Sequence, residues 1–383
     1  MSDAAGWTNR VGVAARARAI VRDLPVEVER ISTSQLSLPG SWPRVTTLVQ
    51  LHGDGAVGTG EDIAYSGDTQ AALPAAFAPL DVAGSWTIGS LSTHLDAQQV
   101  GAPKDPHMDD KPGFHRWAVE SAALDLALRQ AGTDLATLLG ETWHPVTVSL
   151  SMGLGDPAST DLLERWLDRD PDVTFKLDTS PQWSEQIVQR LAALGAAVST
   201  VDFKGLYRGD WKVQDPVDPE LYARVARELP AALLEDADLT DEVRAALDDD
   251  ALGRLTWDYP VTAATDVPGL DGSTAAFSRE RPAAINVKPS RFGTIDGMLE
   301  TIELCDAAGI PCYAGGQFEL GVGRTQVQSI ASLCFPDGPN DCAPALFHAA
   351  TPESPDAPLG PVVPPSGHVG FGWLAPTPAV ALP

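Results

Sequence analysis

The chain contains 383 residues, of which 26 are lysine or arginine and 52 are aspartate or glutamate, and its formal net charge at pH 7 is −26. Because so acidic a surface repels phosphate backbones and anionic membranes, this charge argues against nucleic-acid binding and membrane-surface binding. The hydrophobic fraction of 44% and the ten tryptophans exclude a disordered chain, and the length predicts two domains or one large α/β unit with additions.

The first part of the chain has the pattern of an α+β domain. A β-rich run at 45–51 ends in the turn sequence HGDG (52–55) and continues into AVGTGED, which predicts a hairpin. A helical pattern rich in alanine and leucine follows at 115–139 and is closed by Gly140. Neither a signal peptide nor a membrane-spanning segment is expected, because no long uninterrupted apolar run occurs. We therefore predict a soluble cytoplasmic protein whose first domain covers residues 1–143.

From Val146 onward, short β-type runs alternate with amphipathic helical stretches. This alternation predicts a parallel sheet with crossover connections, and seven or eight such units in about 200 residues favour a closed barrel of the (β/α)7–8 TIM type. An open doubly wound sheet is the alternative. We predict that the barrel domain covers residues 144–348 and that a tail rich in proline and glycine, 349–383, packs on another element. The predicted strands are 146–151, 173–177, 198–203, 231–234, 253–257, 283–288 and 310–314, with a weaker eighth run near 343–347.

Polar side chains occur at the carboxyl end of one predicted strand after another, which is where a barrel carries its chemistry. Because residues i and i+2 of a strand share a face, Lys176 and Asp178 both face the barrel mouth, as Asp202 and Lys204 do. Taken singly, each acid is better explained as a strand-end or helix-cap residue. Taken together, three acids on successive strands make an all-oxygen site suited to Mg²⁺, namely Asp202, Glu235 and Asp258. The series continues with Lys288 on the sixth strand, Glu319 beyond the seventh and Asp341 before the eighth.

The order of these residues resembles the enolase superfamily, in particular its muconate-lactonizing and mandelate-racemase-like branches. Four further segments carry the resemblance: DGAVGTGE (54–61), AVESAALDLALRQAGTDLATLLG (118–140), INVKPSRFGTIDG (285–297) and GGQFELGVGR (315–324). The resemblance implies an N-terminal α+β capping domain that closes over a TIM-type barrel and helps to select the substrate. It also implies that the C-terminal tail returns to the capping domain.

A chemistry follows from the same resemblance. Members of the superfamily bind Mg²⁺ through three acids, which correspond here to Asp202, Glu235 and Asp258. The metal binds a substrate carboxylate, and a lysine or histidine removes the α-proton to give an enediolate. Lys288 corresponds to the lysine of the muconate-lactonizing branch, whereas GIPCYAGGQFE (309–319) lacks the histidine of the racemase branch. We therefore expect a lyase or isomerase that acts on a small carboxylate substrate and forms a homo-oligomer.

Three positions depart from the family pattern. The second-strand motif Lys-x-Lys has Asp178 at its second lysine, and the third-strand motif Asp-x-Asn has Lys204 at its asparagine. Tyr259 stands where a glutamate usually follows Asp258. We hypothesise that Lys204 supplies the displaced ammonium, by pairing with Asp178 or by acting on the substrate face opposite Lys288. The alternative is an inert buried salt bridge.

These departures leave the reaction open. A catalytically silent relative that binds a small acid, and an acid-sugar dehydratase of the same superfamily, are the alternatives to the lyase or isomerase. Glu319 and Asp341 are expected to hold Lys288 or the substrate electrostatically, although helix-cap roles explain them equally well. Segment 33–45 lies where the superfamily has its substrate-covering loop, so Trp42 or Arg44 is a candidate for substrate contact.

Lysines are few in this sequence and are concentrated at the predicted site. Only six residues are lysine, and three of them, Lys176, Lys204 and Lys288, fall on strand ends of the predicted site. Since lysine can lose its proton near neutral pH and arginine cannot, this placement marks the predicted chemistry.

The four cysteines lack CxxC spacing, which favours isolated buried thiols over a disulfide or zinc pair. Gly321 and Gly323 either present backbone N–H groups to an anion at a helix start or form a tight turn.

Overall fold

The computed structural model describes residues 6–40, 43–103, 111–207, 216–270, 278, 280–355, 357 and 360–382. Among these, no helix combines the length and the apolar character needed to cross a membrane. Trp42, one of the two candidates for substrate contact in segment 33–45, lies outside the described residues.

Helices and two antiparallel sheets make up the N-terminal region. Its strands are β1 (Pro25–Val28), β2 (Arg30–Leu38), β3 (Arg44–Gly53), β4 (Ala56–Asp62) and β5 (Gly84–Thr87). Its helices are α1 (Val13–Arg22), α2 (Gly67–Phe77), α3 (Ile88–Leu95), α4 (Pro112–Gln130) and α5 (Leu135–Leu139). Strand β1 pairs with β5, whereas β3 lies between β2 and β4, and all of these pairs are antiparallel.

The predicted hairpin is formed by β3 and β4. Gly53 pairs with Ala56, and the two residues between them, Asp54 and Gly55, have positive φ values of 47° and 72°. Two consecutive residues at positive φ are the geometry of a tight two-residue hairpin turn, for which aspartate followed by glycine is a preferred sequence. The turn signal in the sequence therefore predicts this hairpin correctly.

The helical pattern at 115–139 forms two helices rather than one. Helix α4 begins earlier than predicted, with Pro112 in its first turn, where a proline costs no backbone hydrogen bond. The chain then turns at Gly132, whose φ is 65°, and Asp134 caps α5 by accepting a hydrogen bond from the Thr137 amide. A left-handed glycine and a new N-cap thus divide a continuous apolar pattern.

Helix α4 packs directly on β4 because two glycines of the strand lie beneath it. A Cβ at Gly58 would lie 2.2 Å from the Ala122 carbonyl oxygen, and a Cβ at Gly60 would lie 2.1 Å from the Ala118 carbonyl oxygen. Both obstacles belong to the helix backbone, which cannot rotate aside as a side chain can. The close approach of strand and helix therefore depends on the absence of side chains at these positions.

Gly60→Ala is expected to lower the free energy of unfolding by about 1–3 kcal/mol, because the added methyl group overpacks this contact. Urea denaturation followed by circular dichroism measures the change. Gly67→Ala is the matched control, since a Cβ at Gly67 meets nothing within 4 Å. Equal unfolding free energies for the two variants would contradict the close packing of α4 on β4.

Seven parallel strands form the sheet of the second region. They are β6 (Ser149–Gly153), β7 (Thr174–Asp178), β8 (Val198–Asp202), β9 (Leu233–Glu235), β10 (Leu255–Trp257), β11 (Ala284–Val287) and β12 (Cys312–Ala314), and they pair in chain order. The helices are α6 (Asp161–Arg169), α7 (Glu185–Ala193), α8 (Pro219–Glu228), α9 (Asp241–Ala246), α10 (Asp249–Leu252), α11 (Pro289–Phe292), α12 (Ile295–Ala308) and α13 (Val322–Cys334). Each of the first seven predicted strands overlaps one of the observed strands, so the alternating pattern predicts the parallel sheet correctly.

Both edges of this sheet bond to the same short segment of the chain. On one side, the Ser149 amide of β6 donates to the Asn340 carbonyl oxygen at 2.9 Å. On the other side, the Asp341 amide donates to the carbonyl oxygen of Ala314 in β12 at 2.7 Å. The first and last strands of the sheet therefore approach each other across two residues.

The prediction of an eighth strand near 343–347 is wrong. A 3-10 helix, Ala345–Ala349, occupies this position and follows Pro344. Proline has no N–H to donate to a ladder, so pairing stops after the bridges at 340–341. The side chain of Asn340 replaces further ladder bonds, because its Oδ1 accepts from the Ala314 amide at 2.7 Å.

The C-terminal tail contacts the N-terminal region. Strand β13 (Val380–Ala381) pairs antiparallel with β2, and the Phe371 amide donates to Oδ1 of Asp125 in α4 at 2.8 Å. The side chain of Phe371 is fully buried. Proline and glycine in the tail therefore accompany an ordered, docked segment.

The four cysteines are buried and free, as the sequence predicts. Cys305 lies in α12, Cys312 begins β12, Cys334 ends α13, and Cys342 follows the bridging segment. No disulfide joins them, so the alternative of a disulfide pair is not realised. Their thiols contribute to the core as small apolar groups.

Candidate active site

Three buried carboxylates meet at the carboxyl ends of three neighbouring strands. Asp202 is the last residue of β8, Glu235 is the last residue of β9, and Asp258 directly follows β10. One oxygen of each carboxylate lies within 4.8 Å of an oxygen of the other two. Parallel strands end at the same edge of a sheet, so successive βα units bring these residues together.

Lys176 of β7 lies among these carboxylates. Its Nζ donates to Oε1 of Glu235 and lies 3.5 Å from Oδ2 of Asp202 and 3.9 Å from Oδ2 of Asp258. Oδ2 of Asp341, from the segment that bridges the sheet edges, is also 3.5 Å away. The side chain of Lys176 is buried, and although burial disfavours the ammonium form, the surrounding carboxylates raise its pKa well above the usual value.

Lys288 and Arg291 share the carboxylate of Asp258. Nζ of Lys288 lies 2.8 Å from Oδ2, and Nη1 of Arg291 donates to Oδ1 at 2.5 Å. Lys288 is the N-cap of α11 and Arg291 lies within that helix, so a single turn brings both cations to one acid. Gly315, which follows β12, leaves room for the lysine, because a Cβ there would lie 2.5 Å from Cε of Lys288.

Asp178 and Lys204 are in direct contact. They are the exchanged pair: the family motifs have a lysine at the position of Asp178 and no lysine at the position of Lys204. Nζ of Lys204 lies 2.9 Å from Oδ1 of Asp178 and 2.7 Å from Oδ2 of Asp202. The backbone of Lys204 has a positive φ of 50°, and its amide donates to Oδ1 of Asp202 at 3.0 Å. Burial alone would raise the pKa of Asp202, but the ammonium groups of Lys204 and Lys176 lower it well below the usual range.

Cations are distributed unevenly over the cluster. Burial raises the pKa of Glu235 to about 8; Lys176 opposes this change, whereas three neighbouring carboxylates, Asp202, Asp258 and Asp236, add to it. Burial also acts on Asp258, but the charges of Arg291 and Lys288 outweigh it and lower the pKa of Asp258 to about 2. Among the three converging acids, Glu235 is therefore the one whose charge is least compensated.

Asp236 is a further buried acid at the site, and sequence reasoning did not single it out as a functional residue. Its carboxylate accepts hydrogen bonds from the backbone amides of Asp258 and Tyr259, each at 2.9 Å. Burial and the charges of Asp258 and Asp202 raise its pKa to about 7. Its backbone has a positive φ of 53°, which is costly for a residue with a side chain. Asp236 thereby holds the backbone that carries Asp258.

The donor set fits a hard divalent cation. Carboxylate oxygens are the ligands that Mg²⁺ prefers, and the three converging acids are fully buried. The carboxylates in contact here outnumber the cations by two, and buried charge requires compensation. The carboxylates are Asp178, Asp202, Glu235, Asp236, Asp258 and Asp341, and the cations are Lys176, Lys204, Lys288 and Arg291.

Glu319 lies in the loop after β12 and pairs with an arginine. Its Oε2 is 2.9 Å from Nη2 of Arg324, and its Oε1 accepts from the Gln317 amide at 2.8 Å. The Arg324 guanidinium also contacts Nε2 of His348 at 3.2 Å, and burial together with Arg324 lowers the pKa of His348 to about 3. Of the two predicted electrostatic residues, Asp341 contacts Lys176, whereas Glu319 orders this loop through Arg324.

Two buried charges from the N-terminal region hold the same loop. Glu61, the last residue of the GTGE motif, accepts hydrogen bonds from the amides of Leu320, Gly321 and Gly323 at 2.7 to 3.1 Å. Nη2 of Arg44 donates to the Gln317 carbonyl oxygen at 3.3 Å. The two glycines thus present their N–H groups to an anion at the start of α13, and this anion is a side chain of the protein itself.

Three contacts of the three-acid cluster escaped sequence reasoning. The Asn286 side chain donates to Oε2 of Glu235 at 3.1 Å, and the Tyr313 hydroxyl donates to the same oxygen. Asn286 lies on β11 two residues before Lys288, so strand alternation could have identified it. Arg291 gives no such signal, because its contact with the cluster depends on how α11 leaves the strand.

Family models match most of the chain. The N-terminal and C-terminal models of a family described as a domain of unknown function, DUF8230, match residues 19–138 and 142–349. An N-succinylamino acid racemase of Amycolatopsis sp is 27% identical over 247 residues, which are 62% of this chain and 63% of that protein. An o-succinylbenzoate synthase of Geobacillus kaustophilus is 25% identical over 56% of this chain and 55% of its own length. The matched segments thus span less than two thirds of these relatives.

Solved structures resemble this fold over most of its length. Muconate cycloisomerase from Pseudomonas fluorescens superposes with a TM-score of 0.61 at 20% identity and covers 92% of this chain and 96% of its own. Muconate lactonizing enzyme from Klebsiella pneumoniae superposes with a TM-score of 0.61 at 20% identity, over 90% and 94% of the two chains. At this identity the likeness concerns the fold.

Proposed function

Because the chain belongs to the DUF8230 family and to the muconate-lactonizing and mandelate-racemase-like branch of the enolase superfamily, we propose that it is a Mg²⁺-dependent enzyme that removes the α-proton of a small carboxylate substrate. The observation that carries this proposal is the convergence of Asp202, Glu235 and Asp258 next to the Lys288 amine. The reaction is that of a lyase or isomerase. N-succinylamino acids, after which one relative is named, are the first compounds to test.

The architecture proposed with this function is a closed barrel beneath a capping domain. The bridges from residues 340–341 to both edge strands support closure of the seven-stranded sheet. Residues 1–143 would form the capping domain and residues 144–348 the barrel, while the pairing of β13 with β2 supports a tail, 349–383, that returns to the cap. Glu61 and Arg44 support a cap that helps to shape the barrel mouth.

Proton removal beside a carboxylate requires positive charge placed in advance. An α-proton in this position is very weakly acidic, because the negative charge that develops meets the charge of the carboxylate itself. Asp202, Glu235 and Asp258 would hold Mg²⁺, which when bound supplies this positive charge to the substrate oxygens. Lys288, in its neutral amine form, accepts the α-proton at Nζ, and its side chain passes over Gly315, where a Cβ would obstruct it. The substrate then carries its charge as an enediolate.

The ammonium groups of Lys176 and Lys204 hold the metal-binding carboxylates and orient the substrate. Lys176 contacts all three proposed metal ligands and holds their carboxylates together. Lys204 contacts Asp202 on β8, whereas Lys288 contacts Asp258 beyond β10, so the two amines lie at opposite ends of the three-acid series. We assign Lys204, oriented by Asp178, to the substrate face opposite Lys288. Asp341 contacts Lys176 and Glu319 pairs with Arg324, and we assign both acids to the electrostatic field around the substrate.

Magnesium is expected to stabilise the folded protein. At a free Mg²⁺ concentration one hundred times its Kd, binding to the folded state adds about 2.7 kcal/mol to the free energy of unfolding. A thermal-melt titration with MgCl₂ measures this as a rise in Tm. Asp202→Asn and Glu235→Gln should abolish the rise, whereas Asp68→Asn, which removes an exposed acid in the first turn of α2, should leave it unchanged.

The titration also separates the proposed enzyme from a second candidate function. Lys176 places its ammonium among the same carboxylates that would bind the metal, which favours a catalytically silent protein that binds a small acid without a metal. In that case MgCl₂ would leave Tm unchanged at every concentration. A rise in Tm that persists in Asp202→Asn and Glu235→Gln would place the metal elsewhere and contradict the proposed site.

A further inference from the structure

Tyr259, which stands where the family pattern has a glutamate, receives a cation from the N-terminal region. Nζ of Lys111 lies 3.6 Å from the centroid of the Tyr259 ring and 3.1 Å from the Tyr259 carbonyl oxygen. A cation over the face of an aromatic ring is attracted by the negative charge of the π system. Lys111 is the N-cap of α4, so this contact joins α4 to the loop that follows β10.

The same ring belongs to a stack that reaches the three-acid cluster. The rings of Tyr207 and Tyr259 lie 4.1 Å apart with an interplanar angle of 29°. Nη2 of Arg291 donates to the Tyr207 hydroxyl at 3.4 Å, and its Cζ lies 5.4 Å from the Tyr259 centroid. Arg291 is the residue that shares the Asp258 carboxylate with Lys288. The tyrosine pair therefore links the start of α4 to the proposed base.

A second contact ties the start of α4 to the same place. A Cβ at Gly113 would lie 2.5 Å from the Arg291 carbonyl oxygen and 2.8 Å from that of Ser290. The first turn of α4 thus rests on the backbone of α11, the helix whose N-cap is Lys288. This turn cannot move closer to α11 without displacing the backbone that carries Lys288.

We infer that Lys111 and Tyr259 form a clasp that fixes the first turn of α4 on α11, and that both act as positioning residues for Lys288. The positioning role rests on the proposed function, in which Lys288 accepts the proton, whereas the clasp itself does not. An aromatic ring at position 259 holds a cation from the N-terminal region without adding a further acid to a cluster in which carboxylates already outnumber cations. A glutamate there would add to that excess.

The test uses variants of the full chain that separate charge, ring and hydroxyl. Lys111→Met removes the charge and keeps the length of the side chain. Tyr259→Leu removes the ring but leaves the carbonyl oxygen that Lys111 also contacts, and Tyr259→Phe keeps the ring. Arg165→Met is the control. Arg165 lies in α6 and pairs with Glu353 of the tail, so this variant removes an exposed cation that is not part of the site.

Two measurements by mass spectrometry report on the clasp without substrate or metal. The first is amide hydrogen exchange of the peptide spanning 288–295, and the second is the rate at which acetic anhydride labels the Lys288 amine. Lys111→Met and Tyr259→Leu should each accelerate exchange about tenfold, the size expected for loss of one partly buried cation–π contact. Both should change the labelling rate of Lys288. Tyr259→Phe and Arg165→Met should match the wild type, and the double variant should exchange no faster than either single variant.

Unchanged exchange in both Lys111→Met and Tyr259→Leu would overturn the clasp. Faster exchange with an unchanged labelling rate of Lys288 would overturn the positioning role. If Tyr259→Leu does not fold, Lys111→Met decides both points, because its side chain is only partly buried. Failure of the proposed function would be visible separately, as a melting temperature that does not respond to MgCl₂.

Discussion

Lys288→Ala is expected to abolish the exchange of the substrate α-hydrogen with solvent deuterium. The loss should be roughly 10²–10⁴-fold, the contribution of a positioned general base. The variant should still fold and bind metal, because Asp258 keeps its second cation, Arg291, at 2.5 Å. Loss of the α-proton signal of an N-succinylamino acid in deuterated water, followed by NMR with Mg²⁺-saturated protein, measures the rate.

Lys288→Arg provides the matched control for charge. Arginine keeps a cation beside Asp258 but does not give up its proton near neutral pH, so this variant should be as inactive as Lys288→Ala. Melting temperatures of both variants establish whether the fold is intact. Undiminished exchange in either variant would remove Lys288 as the base, even if the three acids bind Mg²⁺.

The alternating pattern predicts the sheet well because each βα unit is nearly self-contained. A run such as 198–203 is short, rich in β-branched residues and bounded by turn residues, so it becomes β8 with little help from distant contacts. The segment near 343–347 is more apolar but contains Pro344 and forms a 3-10 helix. Its failure as a strand shows that apolar content alone does not give a ladder when the backbone donor is missing.

Some residues of the site can be predicted from their position at strand ends, and others cannot. Asp202, Glu235 and Asp258 were predictable because strand ends of a parallel sheet converge. Asp236 and Glu61 act through backbone amides of segments remote in the sequence, such as Gly323 for Glu61, and no local pattern records such a partner. Hydrogen bonds between side chains and backbone groups remote in the sequence therefore could not be predicted from the sequence.

Lysine scarcity has a structural counterpart. Every lysine in the described part of the chain lies at the site or on the clasp beside it, namely Lys111, Lys176, Lys204 and Lys288. The other two, Lys104 and Lys212, lie outside the described residues. Elsewhere arginine makes the ion pairs, for example Arg18 with Asp296 and Arg129 with Asp125. Lysine carries a compact ammonium on a flexible stem, and the lysines are thus concentrated where several carboxylates must share one cation.

Two substitutions, Asp178→Lys and Lys204→Asn, would restore the family motifs on β7 and after β8. Nζ of Lys204 lies 2.9 Å from Oδ1 of Asp178. Asp178→Lys alone would replace this partner with a second ammonium, and Lys204→Asn alone would remove the amine and the ion pair. Each single variant should lose at least about 10²-fold in α-hydrogen exchange. The double variant again has Lys-x-Lys on β7 and Asp-x-Asn on β8, so its rate should exceed both.

The rate of α-hydrogen exchange in the double variant shows what the pair does. The effects of the two substitutions are coupled if Lys204 is a displaced catalytic ammonium and uncoupled if the pair is an inert salt bridge. If Lys204 supplies the amine that β7 lacks, moving that amine by one strand keeps it beside Asp202, where Nζ of Lys204 lies at 2.7 Å, and the losses should be far from additive. If the pair is inert, Lys204→Asn should leave exchange unchanged while lowering Tm. The same three proteins therefore decide between an amine that faces the substrate and one that only supports the sheet edge.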